Sequence, residues 1–411
     1  MDLRRFLAAC TLALAVPAGL ARADAPLQLI IDADFSVARA GAEAIELGIR
    51  SALSEVEYRA GDVDLEVVRM DHRGNAKRSV SHLKKATTDA NVLAVFGGVH
   101  SPPYISGQSV VNEGRLPLLL PWSAAGPITR APEGQENWIF RLSVDDWQAA
   151  PFLAEQVISA PECTRSGLVL LDSGWGRSNR VALLSAFEDK GADEPVVIMF
   201  PASAGQATYG EIAEKLVAED VDCAVLLSFA PQGAGIVNEL HARGHIVRFF
   251  SHWGVLSGPV ADLAPFEARE AMQFRVLQTC GLRSEANAPD AARRALESAA
   301  VLGASYSRLA EVPATTGFVH GYDLTRLFIA ALEQAAASPD WVSASVFEKR
   351  QMLHLALERL EAPVEGILRT YEAPFSAYAQ EAPDAHEALR RSDLCLASFG
   401  RDGALTLALG N

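Results

Sequence analysis

The sequence is short of basic charge, of membrane-length apolar runs and of catalytic motifs, and each shortage narrows what the chain can be. Lys and Arg number 36 against 51 Asp and Glu, for a formal net charge of −15. No nucleic-acid partner is expected, because phosphate backbones and anionic lipid surfaces attract basic patches. Past residue 23 no stretch approaches the roughly 18 uninterrupted apolar residues of a membrane helix. No G-x-S-x-G elbow, H-E-x-x-H pair or Walker loop occurs, so no enzyme is expected. Gly233-Ala234-Gly235 resembles the start of a dinucleotide fingerprint, but Asn238 stands where the third glycine belongs; no cofactor is expected. His241 and His245 have i, i+4 spacing, yet Gly244 between them should end the helix a metal pair needs, so they read as surface residues.

What is present begins with an export signal. MDLRR is basic, FLAACTLALAVPAGL is apolar and Ala21-Arg22-Ala23 is an A-x-A cleavage site, the pattern of a signal peptide over residues 1–23. The mature protein should start near Asp24, in the periplasm. LAAC at Leu7 to Cys10 also spells a lipoprotein box, but it falls inside the apolar stretch instead of after it. Of the remaining four cysteines, in a compartment that permits disulfides, Cys223 lies within VDCAVLLSF and reads as a buried small hydrophobe. A pairing among Cys163, Cys280 and Cys395 stays open.

From Leu27 onward, apolar runs of strand length alternate with helical stretches. LQLIID, DLEVVRM, VLAVFGG and LPLLLP are separated by helices expected over Ala38 to Val56, Lys77 to Ala90 and Ile105 to Glu113. After WIFRLSVDDWQ the grammar restarts with GLVLLDS, VVIMFP, CAVLLSF and VRFFSHW, with helices expected over Ser178 to Lys190, Tyr209 to Ala218 and Ala234 to Arg243. Continuous apolar strands joined by helices indicate an α/β protein whose parallel sheets are covered on both faces. A third, helical section covers Ala291 to Ser307, the stretch from Gly321, and Ser345 to Glu361. GILRTYEA and LCLASFG end the chain as strand-like pieces.

Ligands of open parallel sheets sit beyond the carboxyl ends of the strands. In the first unit those ends carry Gly97-Gly98-Val99-His100-Ser101 and Trp122-Ser123-Ala124-Ala125. In the second they carry Asp172-Ser173-Gly174-Trp175-Gly176, Phe229-Ala230-Pro231 and His252-Trp253-Gly254. Tryptophan is usually placed by packing; three at equivalent positions in two units point to a shared function. His100 can donate to an anionic ligand or cap a turn, Tyr104 reads as helix packing, and Asp145 and Asp146, near Arg141, read as the cap and first turn of a helix.

These pieces, with NWIFRLSVDDWQAA and GFVHGYDLTRLFIAALEQA, resemble in order and spacing the type I periplasmic solute-binding proteins of ABC importers, specifically the branched-chain amino acid and amide group. The resemblance implies two Rossmann-like lobes joined by three crossovers, near Leu142, Leu277 and Pro363, with a ligand cleft between them. Lobe 1 would comprise 24–142 plus 280–362, and lobe 2 would comprise 143–279 plus 363–411. It also implies a monomer that captures a small organic molecule and passes it to an ABC permease. Ser101 matches the serine that amino-acid binders use for the ligand carboxylate, while Ala124 replaces a threonine and Ser123 is a substitute donor. Trp175 and Phe229 match aromatic positions, and Trp253 stands where an acidic residue meets the ligand ammonium. His100, Ser101, Trp122, Ser123, Ala124, Trp175, Phe229 and Trp253 are therefore the expected ligand residues. The expected ligand is apolar or aromatic, with a carboxylate or amide end; a cation held by aromatic faces, a branched-chain amino acid, and a sensory role with a signalling partner are the alternatives.

Overall fold

The computed structural model describes residues 25–282 and 289–407. The export signal over 1–23, including Cys10, lies outside the described residues. Among the described residues no helix is long and apolar enough to cross a membrane.

Each apolar run becomes a strand. The first sheet contains β1 (Leu27–Ala33), β2 (Arg59–Ala60), β3 (Val63–Asp71), β4 (Val92–Gly97), β5 (Leu118–Leu120) and β6 (Ile139–Arg141), in the order β2-β3-β1-β4-β5-β6. It is parallel apart from β2. The parallel part of the second sheet contains β7 (Ser166–Leu171), β8 (Val196–Phe200), β9 (Cys223–Leu227), β10 (Arg248–Ser251) and β11 (Arg275–Thr279). All six residues of β4 and all five of β9 are buried, as strands covered on both faces must be.

Helices supply that cover. α1 (Arg39–Ser54), α2 (Ala76–Thr88) and α3 (Pro102–Glu113) alternate with the first strands; α4 (Asp146–Ser159), α5 (Gly174–Asp189), α6 (Gln206–Ala218), α7 (Ala230–Ala242) and the short α8 (Val260–Leu263) and α9 (Phe266–Ala271) accompany the second set. The helical third section returns to the first lobe: α10 (Asp290–Val301) and α11 (Thr315–Ala336) pack on α1, and α12 (Val346–Glu358) packs on α11 and β4. Gly321 permits the close α1–α11 crossing, since a Cβ there would stand 2.5 Å from the Ile45 carbonyl oxygen.

Several boundaries differ from the sequence expectation. α5 and α7 each begin four residues early, so Trp175 lies in a first helical turn and Phe229 at an N-cap position. α10 stops at Val301, short of the expected Ser307, with Gly303 at φ +92° just beyond it. GILRTYEA does not join the second sheet: β12 (Val364–Glu365) and β13 (Thr370–Tyr371) form a separate hairpin. Buried Asp323 of α11 holds the hairpin by accepting from Ile367 N (2.6 Å), Leu368 N (3.0 Å) and Tyr371 OH (2.8 Å). β14 (Leu394–Phe399) and β15 (Leu405–Leu407) do extend the second sheet, antiparallel at its edge.

The expectation for Cys223 is corrected. It is fully buried and also bridged to Cys163, while Cys280 pairs with Cys395 across β11 and β14. Burial and bridging are compatible here because Cys163 approaches from the loop just before β7, the strand that neighbours β9. Peptide mapping without reduction should recover both linked pairs. The double variant Cys280→Ala/Cys395→Ala should lose about 2–4 kcal/mol in urea unfolding; a free Cys223 thiol in the native protein would contradict the pairing.

Candidate functional site

The carboxyl ends of the two sheets face each other across a cavity of about 500 Å³. Its walls include His100, Ser101, Trp122 and Ala124 from the first lobe and Trp175, Phe229 and Trp253 from the second. Ser123 is not on the wall. It is fully buried and donates to the carbonyls of Gly98 (2.7 Å) and His100 (3.1 Å), so it joins two loops instead of offering a free donor.

Local sequence explains how each ring arrives. Trp122 follows Pro121 at the end of β5, and its six-membered ring edge rests against Gly317 near the start of α11. That contact leaves the Nε1 edge on the opposite side. Trp175 is carried by the first turn of α5, whose cap Ser173 accepts from Gly176 N at 3.1 Å. Its ring lies 5.8 Å from Phe229 in a stacked arrangement and reaches over Gly254, where a Cβ would come within 2.7 Å of Trp175 Cη2. Ring contacts continue across the gap: His100 to Phe229 at 4.7 Å joins the lobes on one side, and Trp253 to His320 of α11 at 5.9 Å joins them on the other. Such pairs are worth about 0.5–1.5 kcal/mol each beyond their buried area.

Two residues outside the expected set complete the site. Asp34, just past β1, accepts from Ser36 N (3.1 Å) and Val37 N (2.8 Å) through Oδ1, while Oδ2 is buried with no hydrogen-bond partner. His100 Nδ1 stands 3.6 Å away, beyond hydrogen-bond range. Burial pushes His100 down to about 4 despite Asp34, leaving the ring neutral near pH 7. His252 also lines the cavity, with Nε2 2.8 Å from Asp146 Oδ1 and Nδ1 accepting from Gly254 N at 3.2 Å. Asp146 is thus a buried anchor for the Trp253 turn as well as a first-turn residue, and Asp145 is the expected cap, accepting from Trp147 N at 2.9 Å. The aspartate that precedes a turn gives a weak sequence signal because Asp is common there for conformational reasons alone.

Polar atoms without partners gather on this wall. Asp34 Oδ2, His100 Nε2, Trp122 Nε1 and Trp253 Nε1 are all buried and unpaired, a cost that a ligand can remove. Ser101 Oγ accepts from Ala125 N at 3.2 Å and keeps its own O–H. Pro102 and Pro103 open α3, so that helix start lacks two of the N–H groups that bind an anion. Tyr104 is buried structure: its hydroxyl accepts from Gly98 N and donates to the Asp32 carbonyl. A larger hollow of about 1090 Å³ lies between α10, residues 306–316 and residues 399–407, and none of the buried unpaired side-chain atoms of the described residues lines it.

Residues 31–368 match the family model described as periplasmic binding protein. The chain belongs to that family. This periplasmic binding protein therefore stands among solute-binding proteins, not enzymes. No curated protein matches it significantly. Its fold is similar to a leucine-binding protein from Thermotoga maritima, at 15% identity and TM-score 0.71, covering 93% of this chain and 97% of that one. It is equally similar to two Rhodopseudomonas palustris ABC-transporter solute-binding proteins. The one in complex with 4-hydroxybenzoate has 16% identity, TM-score 0.72 and coverage of 93% and 96%; the one in complex with benzoate has 15%, 0.72, and 94% and 96%.

Beneath the cleft, Arg141 is fully buried and pairs with Glu387 at 2.6 and 2.7 Å. Glu387→Leu should cost about 3–5 kcal/mol of stability, because it removes the nearer of the two carboxylates beside a buried cation and leaves two of its hydrogen bonds unmade; urea unfolding measures this. His320 donates Nδ1–H to the Pro121 carbonyl at 3.0 Å, and burial lowers it to about 4. Its folded value lies below the unfolded one, near 6.5, so stability is complete above that pH and declines as pH falls towards 4. His320→Asn should flatten the fall in urea midpoint between pH 7 and pH 5.

Proposed function

We propose that this protein captures a small, largely apolar or aromatic solute between its lobes and delivers it to an ABC importer, and that the solute presents a hydrogen-bond donor to Asp34. The observation that carries this reading is the convergence of Trp122, Trp175, Phe229 and Trp253 on one cavity whose lining also includes Asp34, with a buried carboxylate oxygen that has no hydrogen-bond partner. A ring burying about 150–250 Å² at about 25 cal/mol/Å² supplies ~4–6 kcal/mol before costs. Micromolar binding needs about −8 kcal/mol, so stacking with one or two polar contacts suffices.

The donor end follows from charge. Asp34 is buried and His100 beside it is neutral, while Arg39 and Arg73 reach the cavity only as largely exposed side chains at its rim. A hydroxyl or ammonium group satisfies Asp34; a carboxylate placed there would repel it. Where the resemblance would seat a ligand carboxylate, Ala124 has no hydroxyl, and Pro102 and Pro103 have no N–H to donate. An α-amino acid therefore fits poorly, and an amine or alcohol lacking a carboxylate fits well. Contacts from both lobes favour closure only through affinity that the open state lacks.

A melting-temperature screen with benzylamine, benzyl alcohol, benzoate, leucine and valine tests the class. The amine or the alcohol should raise Tm, and benzoate and valine should not. Trp175→Ala and Trp253→Ala should each weaken the selected probe at least about tenfold, about 1.4 kcal/mol, and Asp34→Asn should do the same. Tighter binding of valine or benzoate, or wild-type affinity in both tryptophan variants, would end this reading.

A further inference from the structure

Far from the cleft residues, α12 places His354 and Glu358 one helical turn apart, on one face. The loop before β14 brings His386 to the same point. One ligand atom from each of the three lies within 4.8 Å of the others. His386 Nε2 is 3.1 Å from Glu358 Oε1, and His354 Nε2 is 3.8 Å from it. An ion held tetrahedrally with bonds of about 2.0–2.1 Å needs ligand atoms about 3.3 Å apart; the His386–Glu358 separation of 3.1 Å is close to that spacing, and His354, whose Nε2 faces the Asn137 carbonyl, would ligate through its unpaired Nδ1.

Hydrogen-bond bookkeeping points the same way. His386 is fully buried, and its Nδ1 faces the Ile139 carbonyl at 3.1 Å, which requires the proton on that nitrogen. A neutral ring then has no proton left for Nε2, which nevertheless faces a carboxylate oxygen. Two acceptors held at this distance in the interior need either a second proton or a metal ion between them. His354, also buried, faces the Asn137 carbonyl through Nε2 at 3.0 Å, and its Nδ1 has no partner. Both rings are fixed by packing, His386 stacked on Phe140 at 4.0 Å and His354 tilted against Trp138 at 4.3 Å. A ligating imidazole whose other nitrogen donates to a backbone carbonyl is a common second-layer arrangement around metals.

We propose that His354, Glu358 and His386 bind a divalent transition-metal ion of the zinc type. Two imidazoles and one carboxylate suit such an ion and not calcium or magnesium, which take oxygen ligands. The ion would tie α12 to residues 386–388, where Arg141 N donates to the His386 carbonyl and Ala388 N to the Arg141 carbonyl, both at 2.9 Å. It is a fastening beside the buried Arg141–Glu387 pair, separate from solute capture.

Mature protein stripped with chelator and titrated with ZnCl₂ in a calorimeter should bind one equivalent and gain in Tm, with no response to Mg²⁺ or Ca²⁺. His386→Asn and Glu358→Gln should weaken binding by more than the roughly 10–100-fold that loss of an outer partner costs. The His241→Gln/His245→Gln variant should bind normally, which separates this site from surface histidines. If a variant fails to fold, Co²⁺ added to the stripped wild-type protein should give a visible absorption band abolished by excess zinc. Absence of stoichiometric zinc or cobalt binding, with the protein folded, would show that a proton fills the gap and would overturn the proposal; so would binding unchanged in both ligand variants.

Discussion

Arg141 ends the last strand of the first sheet with no solvent around its guanidinium, and its N–H groups are divided among Glu387, Thr129 and the carbonyls of Ser123 and Ala125. The Ser123 and Ala125 carbonyls belong to the loop that carries Trp122, and Glu387 belongs to the tail leading into the second sheet. One buried cation therefore fixes a wall of the cleft and fastens two chain segments that run between the lobes. The arrangement is costly unless each donor is satisfied, because burying an ion forfeits its hydration. Here the carboxylate, the hydroxyl and the carbonyls together replace that shell. Arg130, ion-paired with Asp145 and lying 4.3 Å over the Trp147 ring, extends the same network to the start of α4.

On this frame the cleft is built from opposites. Its walls carry three tryptophans and a phenylalanine, yet several of its buried polar atoms, Asp34 Oδ2, His100 Nε2, Trp122 Nε1 and Trp253 Nε1 among them, are left without partners. In a dry interior an unpaired carboxylate oxygen or indole N–H is a standing cost, which a solute of the right pattern removes. In the proposed reading the site combines a stacking surface of low specificity with a few polar demands that select. Discrimination of this kind rests as much on what the site penalises as on what it attracts.

In the proposed reading Trp253 stands where the amino-acid binders that the sequence resembles place an acidic residue, and an unpaired carboxylate oxygen lies on the other lobe, at Asp34. Neutral His100 beside Asp34 keeps the local charge negative.

The α/β class, the two parallel sheets and the strand ends at which function collects were all legible in the sequence, because a strand buried on both faces must be apolar throughout and its ligand end is set by chain direction. Hence Trp122, Trp175, Phe229 and Trp253 could be placed at strand ends from the sequence, and the fold puts all four on the lining of one cavity. What the chain could not reveal alone were relations between distant residues. Whether Ser123 faces a solute or a carbonyl, whether Cys223 merely packs or also bridges, and whether Asp34 has a partner depend on atoms up to hundreds of positions away. Periodicity and composition report a residue's own environment, not its neighbour's identity. Only tertiary packing brought His386 to α12, Glu387 to Arg141 and the GILRTYEA hairpin to Asp323, since each pairing is decided by the shape and unsatisfied hydrogen bonds of surfaces that exist only after folding.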